Sequence, residues 1–210
     1  MSKKYNYSKR EFNLFMLEIF QKSKARQNIL KLFFANEEKS FYLSEIAKIL
    51  KVSVGTTQRE LNRLISSDIL KIEKKANLNY YFLNKQNPLL KEIRSIFAKT
   101  LGIEVELKKI VKSVSGVKYA LIFGSYVKGG FHADSDIDLL IIGRINEDEL
   151  IGKIKILERT IQREINYHLY SEDDFKQKLK QKSFLQNILQ NYLILTDNDY
   201  EFRKLFKRFG

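Results

Sequence analysis

The sequence predicts an α+β fold in two parts. Three observations carry that expectation. Residues 23–83 read as helix, helix, helix and hairpin. After residue 114, apolar β-rich runs alternate with helical stretches. The charge also changes along the chain. Against 38 Lys and Arg stand 25 Asp and Glu, and residues 1–100 hold 20 of the basic and 9 of the acidic side chains. That first half carries +11, residues 101–150 carry −2, and residues 151–210 carry +4. Such asymmetry predicts a nucleic-acid-facing module beside something else.

Composition narrows the chemistry. The chain has no cysteine, which removes disulfides, thiolate zinc sites and cysteine nucleophiles. His132 and His168 are its two histidines, a poor supply for a histidine-rich metal site or a serine–histidine triad. No apolar run approaches the roughly 20 residues of a membrane span. The start, Met-Ser-Lys-Lys-Tyr, lacks the apolar core of a signal peptide. The expectation is a cytoplasmic protein with no membrane partner.

The first element is an amphipathic helix within residues 1–22, with Phe12, Phe15, Met16, Ile19 and Phe20 at i, i+3, i+4, i+7 and i+8. It either packs on its own domain or forms a homodimer contact. From residue 23 to 87 the pattern is compact. Ala25–Phe34 is one helix and Phe41–Leu43 a short extended piece. Ser44 is placed to cap a second helix, with Ile46, Ala47 and Leu50 inward. Ser53 is placed to cap a third, with Thr57, Leu61 and Leu64 inward. Leu70–Lys75 and Tyr80–Leu83 then flank Ala76–Asn79 as a hairpin. This order is that of a winged helix-turn-helix.

That inward set leaves Gly55, Thr56, Gln58, Arg59 and Asn62 on the outer face of the third helix. Arg59 suits guanine, while Gln58 or Asn62 suits adenine in the major groove. Lys74 and Lys75, with Asn77 and Asn79, sit at the hairpin tip within reach of phosphates. The expected partner is double-stranded DNA, against the alternative of a solvated or protein-binding face.

Pro88 opens the next stretch, and residues 88–113 read as linker helices at 88–98 and about 103–113. Residues 114–210 form the second domain. Val117–Phe123, Ile137–Ile142 and Glu164–Tyr170 are its strands, and about 146–160, 172–190 and 198–208 its helices. Ser171 with Asp174 resembles a capping box.

The chemistry concentrates between residues 121 and 142. One apolar strand ends in Gly124-Ser125, and ten residues later Asp136-Ile137-Asp138 opens another. Residues two apart on a strand share a face, so Asp136 and Asp138 project together. Paired carboxylates repel unless a cation lies between them. Oxygen ligands suit Mg²⁺, which takes a few carboxylates plus substrate phosphates. A glycine at the strand-to-helix turn lets backbone N–H groups approach a phosphate. Ser125 adds a hydroxyl, and Lys128 adds a charge one turn on. Phosphate cradle, metal carboxylates and counter-charge are what phosphoryl or nucleotidyl transfer requires.

The segment Phe123-Gly-Ser125, then Asp136-Ile-Asp138-Leu139, resembles the signature of the DNA polymerase β-like nucleotidyltransferase superfamily. Gly124–Gly129 with Ser135–Leu140 is similar to its minimal branch. From about residue 23 to 196 the chain resembles fusions of an ArsR-like winged helix to such a domain, a likeness that Ile29–Phe33, Asn79–Asn84, Lys99-Thr100 and Arg163–Tyr167 also fit. The resemblance implies metal-dependent transfer of NMP from an NTP, ATP by preference, to an acceptor. Asp136 and Asp138 would hold Mg²⁺ or Mn²⁺. Gly124, Ser125, Lys128 and Ser135 would bind the nucleotide. Full enzymes of the superfamily add a third carboxylate on a neighbouring strand. Here Glu164, Asn166 and His168 share a face, so either Glu164 supplies it or Asn166 stands there and the base is missing. Family relatives serve as antitoxins that nucleotidylate a HEPN-type toxin, which makes a protein acceptor one expectation. The alternative is a transcriptional regulator whose second domain only senses nucleotide.

Overall fold

The structure is a computed structural model and describes residues 19–20, 23–127, 136–179, 188 and 191–207. The expectations placed on Phe12, Phe15, Met16, Lys128, His132 and Ser135 lie outside these residues. The fold is mixed α and β with two sheets. Most of the chain up to Gly102 forms one compact unit, and most of the chain from Ile103 forms another.

The first unit begins its regular structure at Ser23, whose hydroxyl accepts the Arg26 N–H and caps α1 (Lys24–Ala35). Strand β1 (Phe41–Tyr42) runs directly into α2 (Leu43–Leu50). The expected Ser44 cap is not used. The helix starts two residues earlier, with Tyr42 at the cap position, and Glu45 reaches back so that its carboxylate accepts the Tyr42 N–H at 3.2 Å, an acidic third position satisfying an end donor. Helix α3 (Val54–Ser66) is capped as expected, with Ser53 Oγ accepting the Thr56 N–H.

Strands β2 (Leu70–Lys75) and β3 (Leu78–Leu83) pair antiparallel, and the sheet order is β1-β3-β2. The hairpin turn is Ala76-Asn77, tighter than the four residues expected. Leu78 pairs with Lys75, and Ala76 takes φ 51° to close the turn. Helix α4 (Leu90–Thr100) buries Leu90, Ile93 and Phe97, and Phe97 stacks on Phe34 at 4.5 Å. Its stripe therefore joins the core of this unit, although the sequence reads as a linker there.

That core includes Leu30, Phe33, Ile46, Leu61, Leu64 and Tyr81, together with Ile19 and Phe20. Each large apolar side chain so buried contributes about 1.5–3 kcal/mol. Within the same unit Arg26 Nε donates to Glu60 Oε2 at 2.8 Å, with both side chains buried. Burial alone would raise the Glu60 pKa. The hydrogen bond and charge of Arg26, helped by Arg63, outweigh it and hold the carboxyl below its ordinary value.

The second unit holds α5 (Ile103–Ser113), β4 (Val117–Phe123), β5 (Ile137–Gly143), α6 (Glu147–Ile161), β6 (Ile165–Tyr170), α7 (Glu172–Lys178), β7 (Tyr192–Ile194) and α8 (Asp199–Lys207). The sheet order is β6-β5-β4-β7. β4 runs antiparallel to β5 and β7, while β5 and β6 are parallel across the α6 connection. Asn146 caps α6 through its side-chain oxygen, and Ser171 caps α7 by accepting the Asp174 N–H.

Strand β7 has no counterpart in the sequence expectation. Its three residues are too few to show a period, and pairing with β4 defines it. On one sheet face Tyr119, Leu121, Leu140 and Ile142 pack on Phe175, Leu179, Ile188 and Phe202. The alternate residues Ala120, Ile122, Leu139 and Ile141 are fully buried as well. The middle of this sheet is covered on both faces, and the Asp136 and Asp138 carboxylates lie at the end where β5 begins.

Candidate functional site

The site is built at that sheet end by three neighbouring strands. β4 reaches it as an apolar strand and stops at Phe123, which pairs with Asp138. The chain then turns through a short 3₁₀ segment, Gly124–Tyr126, rather than entering an α-helix directly. Gly124 takes φ +80°, a conformation that suits glycine because it has no Cβ. Space demands glycine too, since a Cβ there would lie 2.3 Å from Asp138 Oδ2. The backbone of the turn thus lies against the carboxylate of the next strand. Ser125 follows, exposed, and Tyr126 turns inward.

Tyr126 braces the turn from behind. Burial first, and the Glu104 charge second, push its phenol pKa well up, with Arg163 acting in the opposite sense. The buried guanidinium of Arg163 lies 5.8 Å from the Tyr126 ring centroid. This contact ties the 3₁₀ turn to the chain entering β6. The sequence reading passed over it, because an arginine before a strand gives no sign of which ring it will meet.

Asp136 and Asp138 flank the buried Ile137 at the start of β5. The period-two argument therefore describes the backbone found. Burial raises the Asp138 pKa above the ordinary carboxylate value, the Asp136 charge adds to it, and His168 opposes it. On the other side, the parallel register places Asn166 beside Asp138 and His168 beside Leu140. Asn166 Nδ2 donates to Asp136 Oδ2 at 3.2 Å, and the His168 ring lies 5.9 Å from that of Phe123.

Glu164 precedes β6 and is exposed, and its backbone carbonyl accepts the Ile137 N–H at 3.0 Å. Asn166, not Glu164, is thus the in-register neighbour of Asp138. The third-carboxylate expectation had left those two positions open, and register across a crossover is not written in either strand alone.

Among the described residues no group of three or more His, Asp or Glu is arranged to hold a metal ion. Two carboxylates on one strand face, with the glycine turn against one of them, still fit a divalent cation that completes its shell with phosphate oxygens. A cation between them would also relieve the repulsion that Asp136 imposes on Asp138.

In the first unit the outer side of α3 gathers the side chains expected to read bases. Arg59 and Asn62 are exposed, and Thr56 and Gln58 are half-buried. Gln58 Nε2 donates to Asn62 Oδ1 at 2.8 Å and to the Tyr81 hydroxyl at 3.3 Å. Arg59 Nη2 donates to Thr56 Oγ1 at 3.3 Å. Lys74 and Lys75 are exposed near the hairpin turn, with Lys75 paired to Glu73 at 3.1 Å.

Comparison with known proteins bears on the second unit first. Residues 105–195 match the nucleotidyltransferase domain family. A curated protein of Methanocaldococcus jannaschii, named as a candidate protein adenylyltransferase, is 34% identical over 79 residues. The alignment covers 38% of this chain and 78% of that protein. Among solved structures, a toxin–antitoxin complex with AMP-PNP aligns at 15% identity and TM-score 0.38, covering 51% of this chain and 83% of that one. A tri-AMPylated HEPN toxin with MNT antitoxin from Shewanella oneidensis aligns at 13% and 0.35, covering 50% and 79%. Reduced HlyU from Vibrio cholerae aligns at 14% and 0.33, covering 41% and 85%.

Proposed function

The chain belongs to the nucleotidyltransferase domain family, and from that premise we propose that it transfers the NMP moiety of ATP to a protein acceptor, while its first unit binds DNA as a winged helix-turn-helix. The single observation that carries the catalytic part is the apposition of the Gly124 turn and the Asp138 carboxylate, with Asp136 on the same strand. A triphosphate laid on this turn meets the backbone of Gly124 and the hydroxyl of Ser125. Lys128 and Ser135 complete the nucleotide set.

Asp136 and Asp138 are the residues that would hold Mg²⁺ or Mn²⁺, which neutralises phosphate charge and the charge developing on the leaving group. An acceptor hydroxyl attacks the α-phosphorus, the bond from that phosphorus to the bridging oxygen breaks, and pyrophosphate leaves. The hydroxyl proton passes to Glu164 in this reading, or to solvent where Glu164 does not serve.

The protein acceptor is supported by the name of the archaeal relative. A HEPN-type toxin is the proposed identity of that acceptor, on the family resemblance of the Gly124–Asp138 motif. The DNA-binding part is supported by the +11 of residues 1–100 and by the exposed Arg59 and Asn62. Ile19 and Phe20 of the stripe pack in the core of the first unit, so the proposed homodimer rests on Phe12, Phe15 and Met16, and removal of residues 1–18 should lower the mass in solution.

A second reading, nucleotide sensing without transfer, takes its support from the amide of Asn166 beside Asp138. ATP labelled at the α-phosphate separates the two. Transfer predicts label on protein and release of pyrophosphate, and Glu164→Gln should slow it about 10²–10⁴-fold, the range for losing a general base. Unchanged transfer in Glu164→Gln removes that residue from the reaction. ATP bound with no label transferred to any protein favours sensing.

A further inference from the structure

Beside the acidic pair, β6 presents no further acid. Asn166 stands in register with Asp138, and its amide donates to Asp136 Oδ2 at 3.2 Å. A carboxylate that binds a cation through one oxygen is commonly fixed by a hydrogen bond to the other, and that partner sets its orientation. Asn166 makes that bond to Asp136, which leaves Oδ1 for a ligand. Asn166 is exposed, so it reaches Asp136 from the open side of the site and not as part of the packed core.

Charge decides how many cations such a pair accepts. Paired divalent ions sit about 3.5–4 Å apart and bring four positive charges. The two aspartates supply two negative charges, so one divalent ion neutralises the pair and a second would leave two positive charges uncompensated until phosphates arrive.

We propose that Asn166 is a positioning residue that clamps Asp136, so that before nucleotide arrives the Asp136–Asp138 pair binds one divalent cation and not two. The proposal rests on the metal-assisted reading of the site given above. It specifies that β6 sets cation number and affinity through a neutral amide. A second cation would then enter only with the phosphates of the substrate.

The test is Mn²⁺ alone, counted by electron paramagnetic resonance on the full chain, with thermal melting as the control for folding. Wild type should bind one Mn²⁺. Asn166→Ala should still bind one, but about 10-fold or more weakly, as expected for losing a partner behind a ligand, with its melting temperature unchanged. Asn166→Asp should restore tight binding and admit a second ion. Wild type binding two ions, or Asn166→Ala binding as tightly as wild type, overturns the proposal and leaves the metal site standing. Mn²⁺ binding that survives Asp136→Asn with Asp138→Asn, or no binding by wild type, overturns the underlying reading together with the proposal.

Discussion

Replacing Gly124 with alanine should disable the site while leaving the fold intact. The added Cβ would lie 2.3 Å from Asp138 Oδ2 and 3.3 Å from Asp138 Cγ. Ordinary contact begins near 3.4 Å, so the carboxylate must withdraw by about 1 Å, a displacement that costs on the order of 100-fold in rate at a reacting centre. The φ of +80° adds a backbone cost of roughly 1–2 kcal/mol for an L residue. Against a typical stability of about 5–15 kcal/mol this is tolerable. Gly124→Ala should therefore melt cooperatively a few degrees below wild type. Label transfer should fall by about two orders of magnitude, and the Mg²⁺-dependent gain in ATP affinity should shrink. Calorimetric titration and single-turnover labelling measure both. A Gly124→Ala protein with wild-type ATP affinity and transfer rate would refute the reasoning, because the contact between turn and carboxylate would then have no part in the site.

Three further outcomes follow from charge, burial and exposed side chains. The folded chain holds the Asp138 proton more tightly than the unfolded chain, so without metal its stability should fall as pH rises from the ordinary carboxylate value through the raised folded value. Asp138→Asn should consequently melt above wild type in EDTA at about pH 7, with the advantage closing at about pH 3; a variant less stable at the higher pH contradicts this. On the first unit, Arg59→Ala should cost about 1–3 kcal/mol at a specific DNA site if Arg59 reads a base. Wild-type affinity should also drop steeply with salt as counterion release predicts, and salt-independent binding measured by fluorescence anisotropy would argue against a phosphate-tracking surface.

The elements of the first unit are legible because its signals are local. Ser53 caps α3, and Thr57, Leu61 and Leu64 are buried as their spacing requires. Where a signal was ambiguous, the neighbouring residue decided. Glu45 displaced Ser44 by reaching the Tyr42 N–H, and the exposed Leu78 hid a two-residue turn. The burial of Glu60 was invisible in the sequence, since its partner Arg26 lies 34 residues away.

In the second unit the shared face of Asp136 and Asp138 follows from strand period, and the glycine at 124 follows from turn chemistry. What the sequence cannot carry is register. Asn166 rather than Glu164 stands beside Asp138 because the length of the α6 crossover sets where β6 begins, and that is a property of packing rather than of either strand. Arg163 behind Tyr126 has the same origin.

The central claim is that Asp136 and Asp138 join a bound triphosphate to a divalent cation beside the Gly124 turn. Its most direct test is the ATP affinity of the full chain with and without Mg²⁺, in wild type and in Asp136→Asn with Asp138→Asn. The claim predicts that Mg²⁺ tightens ATP binding about 10-fold or more in wild type, a differential of at least about 1.4 kcal/mol, and leaves the double variant unchanged. Wild type that binds no ATP in the presence of Mg²⁺, or a double variant that keeps the full gain, would contradict it.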